Sequence, residues 1–136
     1  MKCTTTAAVA LMLAAATGAT AAVTPAEILK QIETEARAAP GFAGFSAQRG
    51  GQLFNATHGK EWSCASCHTA SPLAAGRHAT TGKDITPLAP QANAQRFSDP
   101  AKVEKWFKRN CNDVLGRTCT AQERGDVLSW LVSLGR

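Results

Sequence analysis

Apolar residues recur with helical spacing in several segments of the chain, and the first follows a clear helix start. In the stretch Thr24-Pro25-Ala26-Glu27, threonine is placed as an N-cap, proline takes the first helical position and glutamate completes a capping box. The apolar residues after it share one helical face: Ile28, Leu29 and Ile32. The pattern predicts a helix over residues 25–38 that stops before Pro40 and packs as an N-terminal extension onto the main domain.

A second helix is predicted from Ser46, its N-cap, to Phe54. Gly50 and Gly51 lie inside it, although each glycine costs a helix about 1 kcal/mol relative to alanine. Two such residues in succession indicate a packing reason. We therefore expect a close crossing with another helix at this point.

Asp99 and Pro100 predict the start of a third helix, as its cap and its first-turn proline. Residues spaced i, i+3, i+4 and i+7 form one stripe along it, which we expect to be mostly core: Val103, Trp106, Phe107 and Asn110. The other faces carry Lys102, Lys105, Lys108 and Arg109. Asn110 is the polar exception at the end of the stripe.

Thr120 to Glu123 form a second capping box and predict a last helix. Its buried side is predicted to consist of Val127, Leu128, Leu131 and Leu134, with Trp130 beside them. Residues 69–93 show little periodicity and predict a long loop stiffened by Pro87 and Pro90, a length that is uncommon without a function. No convincing strand is found, so the predicted fold class is all-α.

The N-terminus has the pattern of a secretory signal peptide. Lys2 precedes an apolar run over residues 7–16 and small residues over 19–22, and the run is too short to cross a membrane. We expect removal of residues 1–22, with cleavage after Ala21 or retention as an apolar anchor as alternatives. A single domain of residues 23–136 remains. It holds 14 of the 15 basic residues and all 10 acidic ones, a mildly basic balance that suits an acidic protein partner better than nucleic acid.

The stretch Cys64-Ala65-Ser66-Cys67-His68 is a C-x-x-C-H motif, which is typical of covalent haem attachment. Cys64 and Cys67 are the predicted thioether residues, and His68 is the predicted proximal iron ligand. A zinc site or a thioredoxin-like redox pair are the alternatives. Because this attachment takes place outside the bacterial cytoplasm, the motif and the predicted signal peptide both indicate the periplasm.

Two more cysteines, Cys111 and Cys119, remain in the predicted mature chain. In an oxidising compartment, a disulfide is the simplest interpretation of two nearby thiols. A thiolate ligand to the haem iron is the alternative.

The sixth position of the iron has several candidate ligands. The chain has two methionines, Met1 and Met12, and both lie in the predicted signal peptide, so a His/Met cytochrome is excluded if that segment is removed. His58, His78, a neutral lysine, Asn110 or no ligand remain. On spacing alone, Asn110 is either a ligand or the residue that caps the C-terminus of its helix.

The segments over residues 50–54 and 64–68 and the last helix with Trp130 resemble class I cytochromes c. Residues 81–90 (TGKDITPLAP), Arg96-Phe97, 103–106 (VEKW), 109–112 (RNCN) and 116–120 (GRTCT) resemble the sphaeroides haem protein (SHP) family more specifically. The resemblance covers nearly the whole mature chain. It implies a class I cytochrome c fold with one covalent haem c and, here, an extra N-terminal helix.

The resemblance also implies a role for Asn110. In that family the asparagine before the first disulfide cysteine ligates ferric haem, which corresponds to Asn110 with a Cys111–Cys119 disulfide. On reduction it leaves, and oxygen, nitric oxide or carbon monoxide binds. A dihaem cytochrome c and a membrane b-type cytochrome are the implied redox partners. Whether oxidoreductase turnover accompanies binding stays open.

Two other hypotheses remain at this point. One is a plain electron carrier, and the other is bis-histidine electron transfer through His58 or His78. The loop after His68 departs most from the family pattern, in its length and in carrying His78.

Overall fold

The computed structural model describes residues 22–135, which form five helices and one two-stranded sheet. The helices are α1 (Pro25–Ala36), α2 (Ala47–Asn55), α3 (Ala65–His68), α4 (Pro100–Leu115) and α5 (Ala121–Ser133), and the strands are β1 (Gly76–Arg77) and β2 (Asp84–Ile85). This mainly helical architecture confirms the all-α class. The predicted signal peptide lies outside the described residues apart from Ala22. None of the described helices combines the length and the apolarity that a membrane span requires.

The four predicted helix starts are confirmed. In each, the side-chain oxygen of the N-cap residue accepts a hydrogen bond from the main-chain N–H three residues later, at 3.1 to 3.2 Å. The caps are Thr24, Ser46, Asp99 and Thr120. These interactions satisfy N–H groups that have no partner within the helix. The position at which each of these helices begins is therefore determined by its N-cap residue.

Helix α5 lies at the centre of the core and packs against both α1 and α2. Ile28 and Ile32 of α1 contact the fully buried Leu128, which confirms that α1 packs onto the main domain. On the other side, Phe54 of α2 packs with Val127 and Leu131. Burying side chains of this size stabilises the fold by roughly 1.5 to 3 kcal/mol each, so α5 holds the two flanking helices together.

The predicted close crossing at the glycine pair is confirmed. A side chain at Gly50 would overlap with the main-chain carbonyl of Asp126 on α5. A Cβ at Gly51 would lie 2.9 Å from the indole nitrogen of Trp130. The two glycines therefore allow the backbones of α2 and α5 to approach closely.

The prediction that the chain contains no strand is wrong in one place. Strands β1 and β2 pair antiparallel, with Gly76 opposite Ile85 and Arg77 opposite Asp84. The turn is closed by a hydrogen bond from the His78 N–H to the Lys83 carbonyl at 2.8 Å, and Gly82 supplies a positive φ of 67°. Strands of two residues are too short to produce an alternating pattern in the sequence.

Helix α4 does not end at Asn110. It continues to Leu115 and ends with Gly116 in the left-handed conformation at φ 72°. A glycine after the last helical residue is the usual helix stop. The alternative prediction that Asn110 caps the helix C-terminus is therefore wrong, and the asparagine lies within the helix.

The predicted apolar stripe of α4 is also partly wrong. Val103 and Phe107 are half-buried and pack against the core, but Trp106 is 47% exposed. The fully buried residues of this helix are Cys111 and Val114. The face of α4 that contacts the core includes Phe107, Cys111 and Val114. Trp106 lies at the edge of this face, and the guanidinium carbon of Arg109 lies 5.7 Å from the centre of its ring.

Candidate functional site

The haem motif forms the single helical turn α3. Its main chain is closed by a hydrogen bond from the His68 N–H to the Cys64 carbonyl at 3.0 Å. The Ser63 N–H donates to the Ser66 hydroxyl at 3.0 Å and fixes the start of the turn. Residues three and four apart in a helix lie on the same face, so Cys64, Cys67 and His68 lie close together on one side of α3.

Cys64 and Cys67 are not joined to each other or to another cysteine. Burial raises the pKa of the Cys64 thiol to about 11. Redox-active C-x-x-C pairs instead depend on a lowered pKa that yields a thiolate, so this environment does not favour the thioredoxin-like alternative. The zinc alternative lacks its second pair of thiols, because Cys111 and Cys119 are bonded to each other.

His68 lies against the buried core of α2. Its ring centroid is 6.3 Å from that of Phe54, and its Nδ1 is buried without a hydrogen-bond partner in the described part of the chain. Burial, with the positive charge of Arg96 nearby, lowers the pKa of the imidazole to about 4. The ring is therefore neutral at neutral pH and has a free lone pair, as a haem iron ligand requires.

The β1–β2 hairpin lies directly against α3. A side chain at Gly76 would overlap with the Cys67 carbonyl and approach the Cα of His68 to 3.0 Å. The Ala79 N–H donates to the Cys67 Sγ at 3.3 Å. The hairpin thus covers one side of the motif, and glycine is required at position 76 for that approach.

Arg96 is a site residue that received no role from the sequence. Its Nε donates to the Pro87 carbonyl at 3.0 Å, and its Nη2 donates to the carbonyl and hydroxyl of Thr86 at 2.8 and 3.0 Å. Burial lowers the pKa of the guanidinium, and its charge acts on His68. No pattern signals this role, because its partners lie in an aperiodic loop that folds back beside the motif.

Asn110 is half-buried on α4, immediately before Cys111. None of the residues between 22 and 135 forms a hydrogen bond with its side-chain amide. Cys111 is joined to Cys119 with a Cα–Cα distance of 5.6 Å, within the usual range for a disulfide. This link connects the C-terminal part of α4 to the segment that leads into α5.

The two histidines proposed as alternative ligands have local hydrogen bonds. The Nε2 of His58 lies 2.9 Å from the Leu53 carbonyl, which can only accept, so this nitrogen carries the proton. The Nδ1 of His78 accepts from the N–H groups of Thr80 and Thr81 at 3.2 and 3.3 Å. Each ring therefore stabilises its own turn.

The residues around α3 fit a covalently bound haem. Two thiols and a neutral imidazole with a free nitrogen lie on one turn. A haem bound here would supply an iron that changes oxidation state and accepts an axial ligand.

Comparison with known proteins agrees with this site. A family model described as a domain of unknown function, DUF1924, matches residues 40–131. The cytochrome c-type protein SHP of Cereibacter sphaeroides is 45% identical over 113 residues, which is 80% of this chain and 83% of that protein.

Solved structures lead to the same family. The structure of oxidised SHP matches with a TM-score of 0.71 at 46% identity and covers 81% of this chain and 96% of its own. The solution structure of Methylophilus methylotrophus cytochrome c'' matches with a TM-score of 0.71 at 32% identity. The match covers 82% of this chain and 94% of that chain. The chain therefore belongs to the family of monohaem c-type cytochromes that includes SHP and cytochrome c'', has the cytochrome c fold, and carries one covalently bound haem c.

Proposed function

We propose that this protein is a periplasmic monohaem cytochrome c whose sixth iron position is gated by its redox state. Cys64 and Cys67 hold the haem through thioethers, and His68 is the proximal ligand. Asn110 ligates the ferric iron and leaves on reduction. The vacated position then binds a small ligand such as oxygen or nitric oxide.

The observation that carries the proposal is the environment of Asn110. Its amide has no hydrogen-bond partner among the described residues, although the residue is half-buried in the middle of α4. The amide is therefore not held by another contact among these residues and is available to bind the iron.

The chemistry of the amide supports release on reduction. A neutral amide is a weak, hard donor, which suits ferric iron better than the softer ferrous iron. A preference of a few kcal/mol between the two oxidation states is enough to reverse occupancy. The disulfide at Cys111 fixes the adjacent backbone, so Asn110 keeps its place while its side chain changes partner.

Two relatives behave in ways that favour this proposal. SHP is described as an oxygen-binding cytochrome c. The solution structure of cytochrome c'' is described as giving insight into haem-ligand detachment. Oxygen binding in one relative and ligand detachment in the other both fit a site that releases one ligand and binds another, and Asn110 is our candidate for the residue that is released.

We further propose that electrons arrive from an acidic partner, a dihaem cytochrome c, with a membrane b-type cytochrome upstream. The outer surface of α4 presents exposed cations: Lys102, Lys105, Lys108 and Arg109. Lys102 is paired with Asp99 at 3.5 Å, and Arg109 lies over Trp106. Exposed aromatic and arginine side chains beside positive charge are typical of a docking surface for a protein of opposite charge.

The periplasmic location rests on the predicted signal peptide and on the chemistry of haem attachment. The mature domain is proposed to comprise residues 23–136. Determining the N-terminal residue of the exported holoprotein tests this boundary. A protein that still begins at Met1 would contradict it.

The absorption spectrum of the ferric Asn110→Ala holoprotein tests the proposed ligand. We expect the wild-type protein to be low-spin and the variant to be high-spin at neutral pH. Asn112→Ala is the matched control, because Asn112 is an exposed asparagine two residues further along α4. A low-spin spectrum in the Asn110→Ala variant would show that another group ligates the iron.

A further inference from the structure

We propose that the ion pair between Glu104 and Arg124 positions α4 for ligation by Asn110 and slows release of that ligand. This inference rests on the proposed function, since it takes Asn110 as the ferric ligand. It assigns a positioning role to two residues that do not touch the iron. The argument begins with the unusual placement of Arg124.

Arg124 is a buried cation on α5, with only 8% of the residue exposed. Its Nη1 donates to Glu104 of α4 at 2.7 Å, and its Nη2 donates to Glu35 of α1 at 2.5 Å. Its Nε is buried and has no partner in the described part of the chain. A buried charge is tolerated only when it is paired, so this guanidinium holds both glutamates in place.

The three helices meet around a cleft of about 210 Å³ rather than in a continuous apolar contact. Its lining includes both glutamates and Arg124, together with Ile28, Ile32 and Val103. The N-terminal half of α4 therefore borders a cleft at this point. Val103 supplies an apolar contact there, and the Glu104–Arg124 pair supplies the polar one.

Asn110 lies between an ion pair and a covalent link of its helix. Glu104 is six residues before it, about 9 Å along the axis at 1.5 Å per residue. Cys111, covalently fixed by the disulfide, follows it directly. Phe107 and Val114 also pack α4 against the core, but packed helices can still slide by small amounts against their neighbours. The directional ion pair at Glu104 restrains such shifts and therefore restrains the direction of the Asn110 side chain.

Glu35 provides a matched control. It pairs with the same guanidinium, and its side chain is 61% exposed compared with 64% for Glu104. It belongs to α1, which does not carry Asn110. Glu35→Gln and Glu104→Gln each remove one negative charge that is paired with Arg124. Only Glu104→Gln is expected to loosen α4.

Cyanide binding to the ferric holoprotein, followed by stopped-flow absorption, is the test. At saturating cyanide the observed rate is limited by release of the internal ligand. We expect Glu104→Gln to raise this limiting rate by roughly threefold or more, and Glu35→Gln to change it by less than about 1.5-fold, since ion pairs of this exposure contribute modestly. Equal rates in the two variants, or no change in Glu104→Gln, would overturn the proposal.

The same experiment in an Asn110→Ala background separates this inference from the proposed function. We expect the Glu104→Gln effect to disappear there, because no asparagine remains to be released. If Asn110→Ala itself leaves the ferric spectrum low-spin, the proposed function fails. If Asn110→Ala changes the spectrum but Glu104→Gln acts equally with and without Asn110, only the positioning role fails.

Discussion

Gly50 of α2 faces the main-chain carbonyl of Asp126 on α5 so closely that a Cβ at position 50 would overlap with it. Just beyond this point the buried Phe54 packs against the half-buried Trp130, with ring centroids 4.8 Å apart. Phe54 in turn contacts the ring of His68. The crossing at Gly50 thus helps to set where the core supports His68, the proposed proximal ligand.

Replacing Gly50 with alanine is expected to destabilise the holoprotein by about 1 to 3 kcal/mol, because the new methyl group collides with backbone that has no space to move. Gly51→Ala is the control. Its methyl group would meet the Trp130 side chain, which can shift, so a smaller loss is expected. Denaturant unfolding measures the free energy of unfolding of both variants. Equal losses would show that the close approach at Gly50 does not limit packing.

Stability in acid is expected to depend on Glu123. Arg117 donates to both of its carboxylate oxygens at 2.8 Å, and this pairing holds the pKa of Glu123 below its ordinary value of 4.5. A carboxyl whose folded pKa is lowered stabilises the fold above the unfolded value and loses that effect as pH falls through the folded value. Glu123→Gln should therefore cost about 0.5 kcal/mol at pH 7 and progressively less in acid.

Glu27→Gln is the control for this effect, because Glu27 completes the other capping box and pairs with no arginine among residues 22–135. Its loss of stability should be smaller than that of Glu123→Gln. The free energy of unfolding is measured for the wild type and both variants, at pH 7 and in acid. The loss in each variant relative to the wild type is then compared at the two pH values. A deficit in Glu123→Gln that grows as pH falls would contradict the assigned direction of the pKa shift.

Breaking the Cys111–Cys119 disulfide is expected to loosen the proposed bond between Asn110 and iron. The Cys111→Ser/Cys119→Ser variant should lose roughly 2 to 3 kcal/mol of stability in the chain-entropy model. Its ferric spectrum should show a larger high-spin fraction. A fully low-spin spectrum in the serine variant would count against this link.

Electron transfer from an acidic partner is expected to slow as salt rises, because screening weakens attraction between exposed charges. Lys105→Gln should lower the rate at low salt by roughly twofold. Lys30→Gln removes an equal exposed charge from α1 and should have less effect. Stopped-flow rates with a reduced dihaem cytochrome c measure both. Rates that do not depend on ionic strength would defeat the docking proposal.

Features encoded within a few residues were predictable from the sequence. The N-caps at Thr24, Ser46, Asp99 and Thr120 each depend on a residue three positions away. The glycine pair in α2 also indicated the close crossing correctly, because interior glycines in a helix require a packing reason. Gly116 was an available signal for the end of α4, and using it would have placed Asn110 inside the helix.

Features that depend on distant partners were not predictable. Arg124 and Asp126 lie on the buried side of α5, where the periodicity indicated only apolar residues. Asp126 is paired with Arg49, 77 residues earlier, and Arg124 with Glu35, 89 residues earlier. Periodicity within one helix carries no information about such pairs. The hairpin beside Cys67 was missed for a similar reason, because its two short strands depend on contact with α3.

The absorption spectrum of the reduced holoprotein, first under argon and then with carbon monoxide, tests the central claim most directly. Release of Asn110 on reduction predicts a five-coordinate high-spin ferrous spectrum that converts promptly when the gas is added. A six-coordinate low-spin ferrous spectrum that carbon monoxide does not change would contradict the account, and His58 and His78 would then become the candidate ligands.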